Sequence, residues 1–289
     1  MAAITSELIK ELREKTAAGM LDCKKALEES GGDLEAASDW LRQKGIVKAA
    51  KKADRVAASG LVHVATASGF ACVVEVNAET DFVAKNDKFQ GLVETIGRLA
   101  LKEKGDFEKV SAAAKDEITN TIATIGENMM LRRIAAVKGD AVYTYVHNAI
   151  CPGMGQIGVA VAFDGDAAKL AEIGPKIAMH IAASKPAFMT IADVDPAAVE
   201  REKKIFIESG ATKGKPDQVA EKMTAGRIQK YYAESVLEEQ PFVMDPSKTV
   251  KAVVAEHGGK LTGFACYVLG DGIEKRADNL ADEVAKMLG

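Results

Sequence analysis

The sequence predicts an α+β protein, and three observations lead there. Runs rich in strand formers, β-branched or aromatic, at 61–65, 70–76, 157–163 and 261–269 are separated by segments whose apolar residues recur at helical spacing. Ser68-Gly69 lies between the first two runs and suits a tight hairpin, which makes the sheet there antiparallel. Two stretches, residues 1–55 and Pro186–Pro241, are helical in pattern and poor in strand formers. At 289 residues the chain exceeds one small core and suits two or three domains. The expected organisation is a three-helix domain with a basic linker at 1–55, a core subdomain at 56–140, and a second, related α/β subdomain at 141–186 and 237–270. An antiparallel helical hairpin is inserted at 187–236, and a C-terminal helical module closes the chain at 271–289.

Each element has a local reason. Ile4, Leu8 and Leu12 form one stripe of a first helix, which Gly19 is placed to end. Leu21 to Leu27 make a second helix. Gly31-Gly32 forces a turn, Asp33 caps the third helix, and Leu34, Ala37 and Leu41 share its face. Arg42, Lys44, Lys48, Lys51, Lys52 and Arg55 against Asp54 read as a solvated, mobile connector that steers acidic partners.

The central stretch is Phe70–Phe89, FACVVEVNAETDFVAKNDKF. It begins as a strand through Val73, Val74 and Val76, bends at Asn77–Asp81, and enters a helix near Asn86 or Asp87. Asp87 with Gln90 three residues on reads as a capping-box-like start. Phe89, Val93, Ile96 and Ala100 then follow on one helical face to about Lys104. A second helix is expected over Ala112–Ile125, stopped by Gly126, with Leu131–Val137 returning as strand. Phe82, in the bend, has two readings. Most Phe residues are buried, so the residues alone favour a core anchor. The other reading is an exposed aromatic wedge for a partner.

The order strand, acidic turn, helix recurs from Gln156 through Asp164-Gly165-Asp166 to about Ala183, now without an aromatic in the turn. Beyond it, Ala198/Ile205, Val199/Phe206 and Val219/Met223 mark two helices around the turn Ser209–Asp217. Ser247 is expected to cap a helix running to His257, Leu261–Leu269 to complete the second sheet, and Leu280, Val284 and Met287 or Leu288 to line a last helix.

Composition excludes several functions. The net charge of −4 argues against a general nucleic-acid binder. No apolar run approaches the ~20 residues of a membrane span, and no secretory signal is expected from MAAITSELIKELREKT. Cys23, Cys72, Cys151 and Cys266 are scattered, so neither zinc nor a disulfide framework is expected, and free thiols fit a reducing cytoplasm. His63, His147, His180 and His257 show no metal-ligand pairing, and His180 reads as a partly buried packing residue. There is no phosphate-binding GxxxxGK[ST] and no GxSxG. Gly153-Met154-Gly155-Gln156-Ile157-Gly158 matches G-x-G-x-x-G, but a β-branched strand follows where a helix is needed, so it reads as a turn between strands. No cofactor and no metal are expected. A nucleotide-cofactor enzyme using this turn is the rival function. An RNA or protein adaptor built on residues 1–55 is a third.

TDFVAKN after an EVN strand resembles the signature of the bacterial elongation factor Ts family. TAAGMLDCKKALEESGGDLEAASDWLRQKG, IGENMMLRRIAAV, AMHIAASKP and QPFVMDPSKTV are similar to further blocks of that family. The resemblance implies a guanine nucleotide exchange factor for the GTPase elongation factor Tu in its GDP-bound and nucleotide-free forms, cytoplasmic and without covalent chemistry. It implies that residues 1–55 form a ubiquitin-associated-like domain, and that Thr80, Asp81, Phe82, Val83, Ala84 and Lys85 bind the partner and dislodge its Mg²⁺. It adds Met20, Lys24 and His147 as further contacts and self-association through the hairpin. Ile150–Met154 departs from the family pattern as a small insertion.

Overall fold

The computed structural model describes residues 4–16 and 18–274. The expected C-terminal helix with Leu280 and Val284 lies outside the described residues. The elements, in chain order, are α1 (Ser6–Thr16), α2 (Met20–Glu29), α3 (Leu34–Ala50), β1 (Ser59–Ala67), β2 (Phe70–Ala78), α4 (Asp87–Lys102), α5 (Phe107–Ile125), β3 (Met129–Lys138), β4 (Ala141–His147), β5 (Met154–Gly155) and β6 (Ile157–Gly165). They continue with α6 (Ala167–Leu170), α7 (Gly174–Ser184), α8 (Pro196–Glu208), α9 (Asp217–Ser235), β7 (Pro241–Phe242), β8 (Asp245–Thr249), α10 (Val250–Glu256) and β9 (Gly259–Val268). The class is α+β, as the pattern predicts. The strands form sheets of order β3-β2-β1-β5, β4-β6-β9 and β7-β8. The chain divides into two compact units, 1–63 with 74–134 and 268–289, and 64–73 with 135–267.

In the first unit, Leu12, Cys23, Ala26, Leu27 and Ala37 close a small core between α1, α2 and α3. Such short helices are marginal alone and owe their stability to this packing. Asp33 caps α3 by accepting from Ala36 N at 2.8 Å. Gly19 does not end α1; it stands in extended geometry as the N-cap of α2. Residues 42–50 are not a mobile connector but the last turns of α3. Arg42 pairs with Asp116 at 2.6 Å and Lys48 with Asp22 at 3.0 Å. Gly45 faces Ala123 of α5, and α3 runs on through it to Ala50.

α4 buries Phe89, Leu92, Val93, Ile96 and Ala100, the face its spacing predicts. Each of the four larger side chains contributes roughly 1.5–3 kcal/mol gross. The cap is Asn86, not Asp87: Asn86 Oδ1 accepts from Lys88 N at 3.0 Å, while Gln90 Nε2 donates to Ala84 O at 2.9 Å. α5 starts earlier than expected, at Phe107, because Asp106 Oδ1 accepts from Lys109 N at 3.1 Å.

Among the described residues of this unit one acid is wholly buried. Glu75 on β2 accepts from Arg132 Nη1 at 3.0 Å, from Arg133 Nε, and from Gly270 N at 2.8 Å. Burial by itself would raise its pKa, but the Gly270 amide, the two arginines and Asn77 outweigh that and hold it below the ordinary value. Arg133 Nη2 also donates to Val268 O at 3.0 Å.

In the second unit, β4 and β6 pair antiparallel from Ala141↔Phe163 to His147↔Ile157. Phe163, Leu170, Ile177, Ile181, Leu237, Val250 and Leu261 lie in one core. The helix expected to run from Asp166 to about Ala183 is broken into α6 and α7. A Cβ on Gly174 would stand 2.0 Å from the Tyr143 ring, so the chain needs glycine where α7 begins. Thr249, not Ser247, caps α10, accepting from Ala252 N at 3.2 Å; Ser247 instead sits in β8. His180 is buried on both sides of its ring, with Nε2 2.8 Å from Gln240 Oε1 and Nδ1 accepting from Val243 N at 3.3 Å. That network assigns the neutral Nε2–H tautomer. Burial lowers its pKa, against a smaller rise from Gln240. α8 buries no residue, and Arg227 on α9 pairs with Glu202 on α8.

Candidate functional site

β2 ends at Ala78, and the chain bends through Glu79, Thr80 and Asp81 into a single 3₁₀ turn, Phe82–Lys85. Asp81 enters that turn with helical φ and ψ and makes no side-chain cap. Val83 and Ala84 are buried at 4% and 2% exposure, whereas Phe82 is 82% exposed. The core-anchor reading of Phe82 therefore does not hold: the anchors are its two neighbours. A turn with Val83 and Ala84 inward and Phe82 outward is rigid where it is held and presents an aromatic where it is not. Asp81 and Lys85 are exposed beside the ring.

The N-terminal half of the bend is fastened from afar. Glu127, between α5 and β3, accepts Thr80 N at 2.9 Å on Oε2 and the Thr80 hydroxyl at 2.7 Å on Oε1. Glu79 Oε1 accepts from Asn128 N at 2.5 Å, and Glu79 also pairs with Arg55 at 3.5 Å. Asn128 Nδ2 donates to Ala53 O and to Arg55 O, the latter at 2.7 Å. Sequence reasoning missed Glu127, Glu79 and Asn128. The pairing spans 47 residues, and no local pattern announces it.

The other expected contacts fall elsewhere. Met20 opens α2 at 61% exposure, next to Leu21 at 83%. Met20 is thus no core plug, and Leu21 is an exposed apolar neighbour that the sequence reading placed inside the helix without comment. Lys24 is exposed and pairs with Glu28 at 3.8 Å, a contact worth little in water. His147 belongs to the second unit, as the last residue of β4. The Tyr145 hydroxyl lies 3.1 Å from its Nδ1. With Tyr145, Ile157, Met179, Val243 and Met244 it lines a cavity of about 430 Å³.

The residues Ile150–Met154 fold back on themselves: Ile150 N donates to Met154 O at 2.9 Å, and Gln156 N to His147 O at 3.1 Å. β5 and the start of β6 lie within Gly153–Gly158, so no helix N-terminus meets a phosphate there. Among the described residues no group of three or more His, Cys, Asp or Glu is placed to hold a metal ion, and no helix is long and apolar enough to cross a membrane.

Comparison with known proteins decides the family. A model described as Elongation factor TS matches residues 79–271. The chain is 54% identical to an elongation factor Ts of Hyphomonas neptunium, over 99% of each chain. It is 53% identical to one of Paracoccus denitrificans, over 98% of each. The chain belongs to the elongation factor Ts family. A third member, from Caulobacter vibrioides, is 52% identical over 100% of this chain and 99% of its own. These full-length matches take in α1–α3 as well as the region of the family model, whose first residue, Glu79, opens the bend.

Proposed function

We propose that this protein is a guanine nucleotide exchange factor for the translational GTPase elongation factor Tu. The observation that carries the reading is the bend itself: Phe82 stands 82% exposed between a strand end and two buried residues. In this mechanism the ring and Asp81 insert beside the partner's nucleotide site and disturb the groups that order Mg²⁺ and phosphate. Mg²⁺ neutralises phosphate charge, so loosening its ligands weakens GDP. Linkage is reciprocal: a factor that weakens GDP is weakened by GDP to the same ratio. No covalent step is needed, and the reading places the protein in the cytoplasm with the translation machinery.

Exposed Met20 and Leu21 support a second contact through α2, with Lys24 beside them, and the cavity at His147 supports a third. Exposed Ile205, Ile207 and Val219 on α8 and α9 support self-association, which sedimentation at rising concentration tests. The deciding experiment is release of fluorescent GDP from purified elongation factor Tu. Release is expected to accelerate and saturate as this protein is added. Unchanged release would end the exchange reading.

A further inference from the structure

We propose that Glu127 is a positioning residue for the exchange bend, an inference that rests on the exchange reading and deepens it. The Phe82 ring is 82% exposed, so packing does not fix its direction; the backbone on either side must. On the C-terminal side that job falls to buried Val83 and Ala84 and to Gln90, which donates to Ala84 O at 2.9 Å. On the N-terminal side the fastening of Thr80 is the Glu127 carboxylate, which takes both its N–H at 2.9 Å and its hydroxyl at 2.7 Å. A carboxylate gripping two donors of one residue fixes that residue's rotation as well as its place, and hydrogen bonds to a charged acceptor are the stronger kind.

Glu127 is itself held. It follows Gly126, which ends α5 in left-handed geometry at φ 92°, and precedes Asn128. The Asn128 backbone donates to Glu79, and its side chain donates to Ala53 O and Arg55 O. The loop 126–128 thus holds the residue before Thr80, Thr80 itself, and the chain leaving α3. Without Glu127, Phe82 keeps its exposure but loses its fixed direction. Partner binding then persists, because the rest of the surface is intact, while the step that needs the ring in one place slows.

The test follows GDP release from elongation factor Tu over a range of concentrations of the full chain, with amide hydrogen exchange of the peptide 78–85 read in parallel. Glu127→Ala is expected to lower the maximal release rate roughly tenfold, to change the half-saturating concentration by no more than about twofold, and to speed exchange of the bend amides. Glu127→Gln recovers most of the rate, because its amide oxygen accepts from Thr80 N–H while its NH₂ donates to the Thr80 oxygen. On a Phe82→Ala background Glu127→Ala adds no further loss, since it acts through the ring. Should Glu127→Ala lower the melt, Thr80→Val, which removes the hydroxyl alone, carries the test with a smaller loss of the same kind. Wild-type protection of the bend amides in Glu127→Ala overturns the inference, and so does an additive loss on the Phe82→Ala background. Failure of the exchange reading looks different: the wild-type chain then leaves GDP release unchanged, and amide exchange still decides whether Glu127 holds the bend.

Discussion

Two strand-to-helix passages in this molecule follow one path and end in opposite designs. β2 leads through residues 79–85 to α4, and β6 leads through Asp166 to α6 and α7. In the second passage the turn presents no aromatic: residues 164–169 are exposed but carry only small or charged side chains. Gly165 has φ 129°, and a Cβ there would lie 2.5 Å from Gly258 O, so no side chain fits. Its N–H donates to Asp140 at 3.1 Å, and Asp166 caps the helix by accepting from Ala168 N at 3.0 Å. The aromatic residue, Phe163, comes before the turn and is fully buried, edge-on to Tyr143. In the first passage the aromatic comes after the bend and points out, and a carboxylate from another loop does the fastening. Both turns are tied by a carboxylate from elsewhere in the chain, Asp140 in the second and Glu127 in the first, but only the first carries an aromatic at its exposed tip.

That contrast makes Phe163→Ala and Phe82→Ala opposites. Phe163→Ala is expected to cost about 3–5 kcal/mol of stability in denaturant unfolding, with GDP release per folded molecule unaltered. A variant as stable as the wild type would mean that the second turn is not the packed one. Phe82→Ala is expected to leave the melt nearly unchanged and to slow catalysed GDP release tens-fold, on the order of 2 kcal/mol of barrier. A collapsed melt there would show the ring to be structural, and normal release by a folded variant would remove it from the mechanism.

Acid sharpens the same division. Burial depresses the His180 pKa in the fold, so the second unit favours the neutral ring. The stability this gives is complete above the ordinary imidazole value of about 6.5. It is lost as pH falls from there towards the folded value, at no more than about 1.4 kcal/mol per pH unit for one proton. Urea unfolding at pH 7.5 and 5.5 measures the slope, which His180→Gln is expected to flatten. Asp81→Ala should have the smallest effect, a few-fold slowing of release, since Asp81 makes no cap and at most helps to place the ring. A loss as large as that of Phe82→Ala would move the centre of the mechanism to the carboxylate.

The sequence showed the path of the first passage well. The α4 face, the hairpin at Ser68-Gly69 and the strand after the Gly153–Gly158 turn were all legible, because each rests on near neighbours. Neighbouring caps were not: Asn86 and Asp87, or Ser247 and Thr249, offer the same chemistry one or two residues apart, and only the packed chain chooses. The break before α7 was hidden because it answers to Tyr143, thirty-one residues earlier in the chain as numbered. The residues alone favoured a buried Phe82 and the family resemblance an exposed one; its exposure follows from Val83 and Ala84 taking the inward places. Glu127 was illegible for the same reason as Glu75's arginines, since both serve partners far along the chain.

Glu75 also sets an order of events. Its amide partner at Gly270 lies 195 residues downstream. During synthesis the acid and its two arginines emerge long before that amide exists, and closing a loop of this length costs roughly 5 kcal/mol of chain entropy. The first unit is therefore the earliest to be started, and the tie of Glu75 to Gly270 waits until the whole of the second unit has been made.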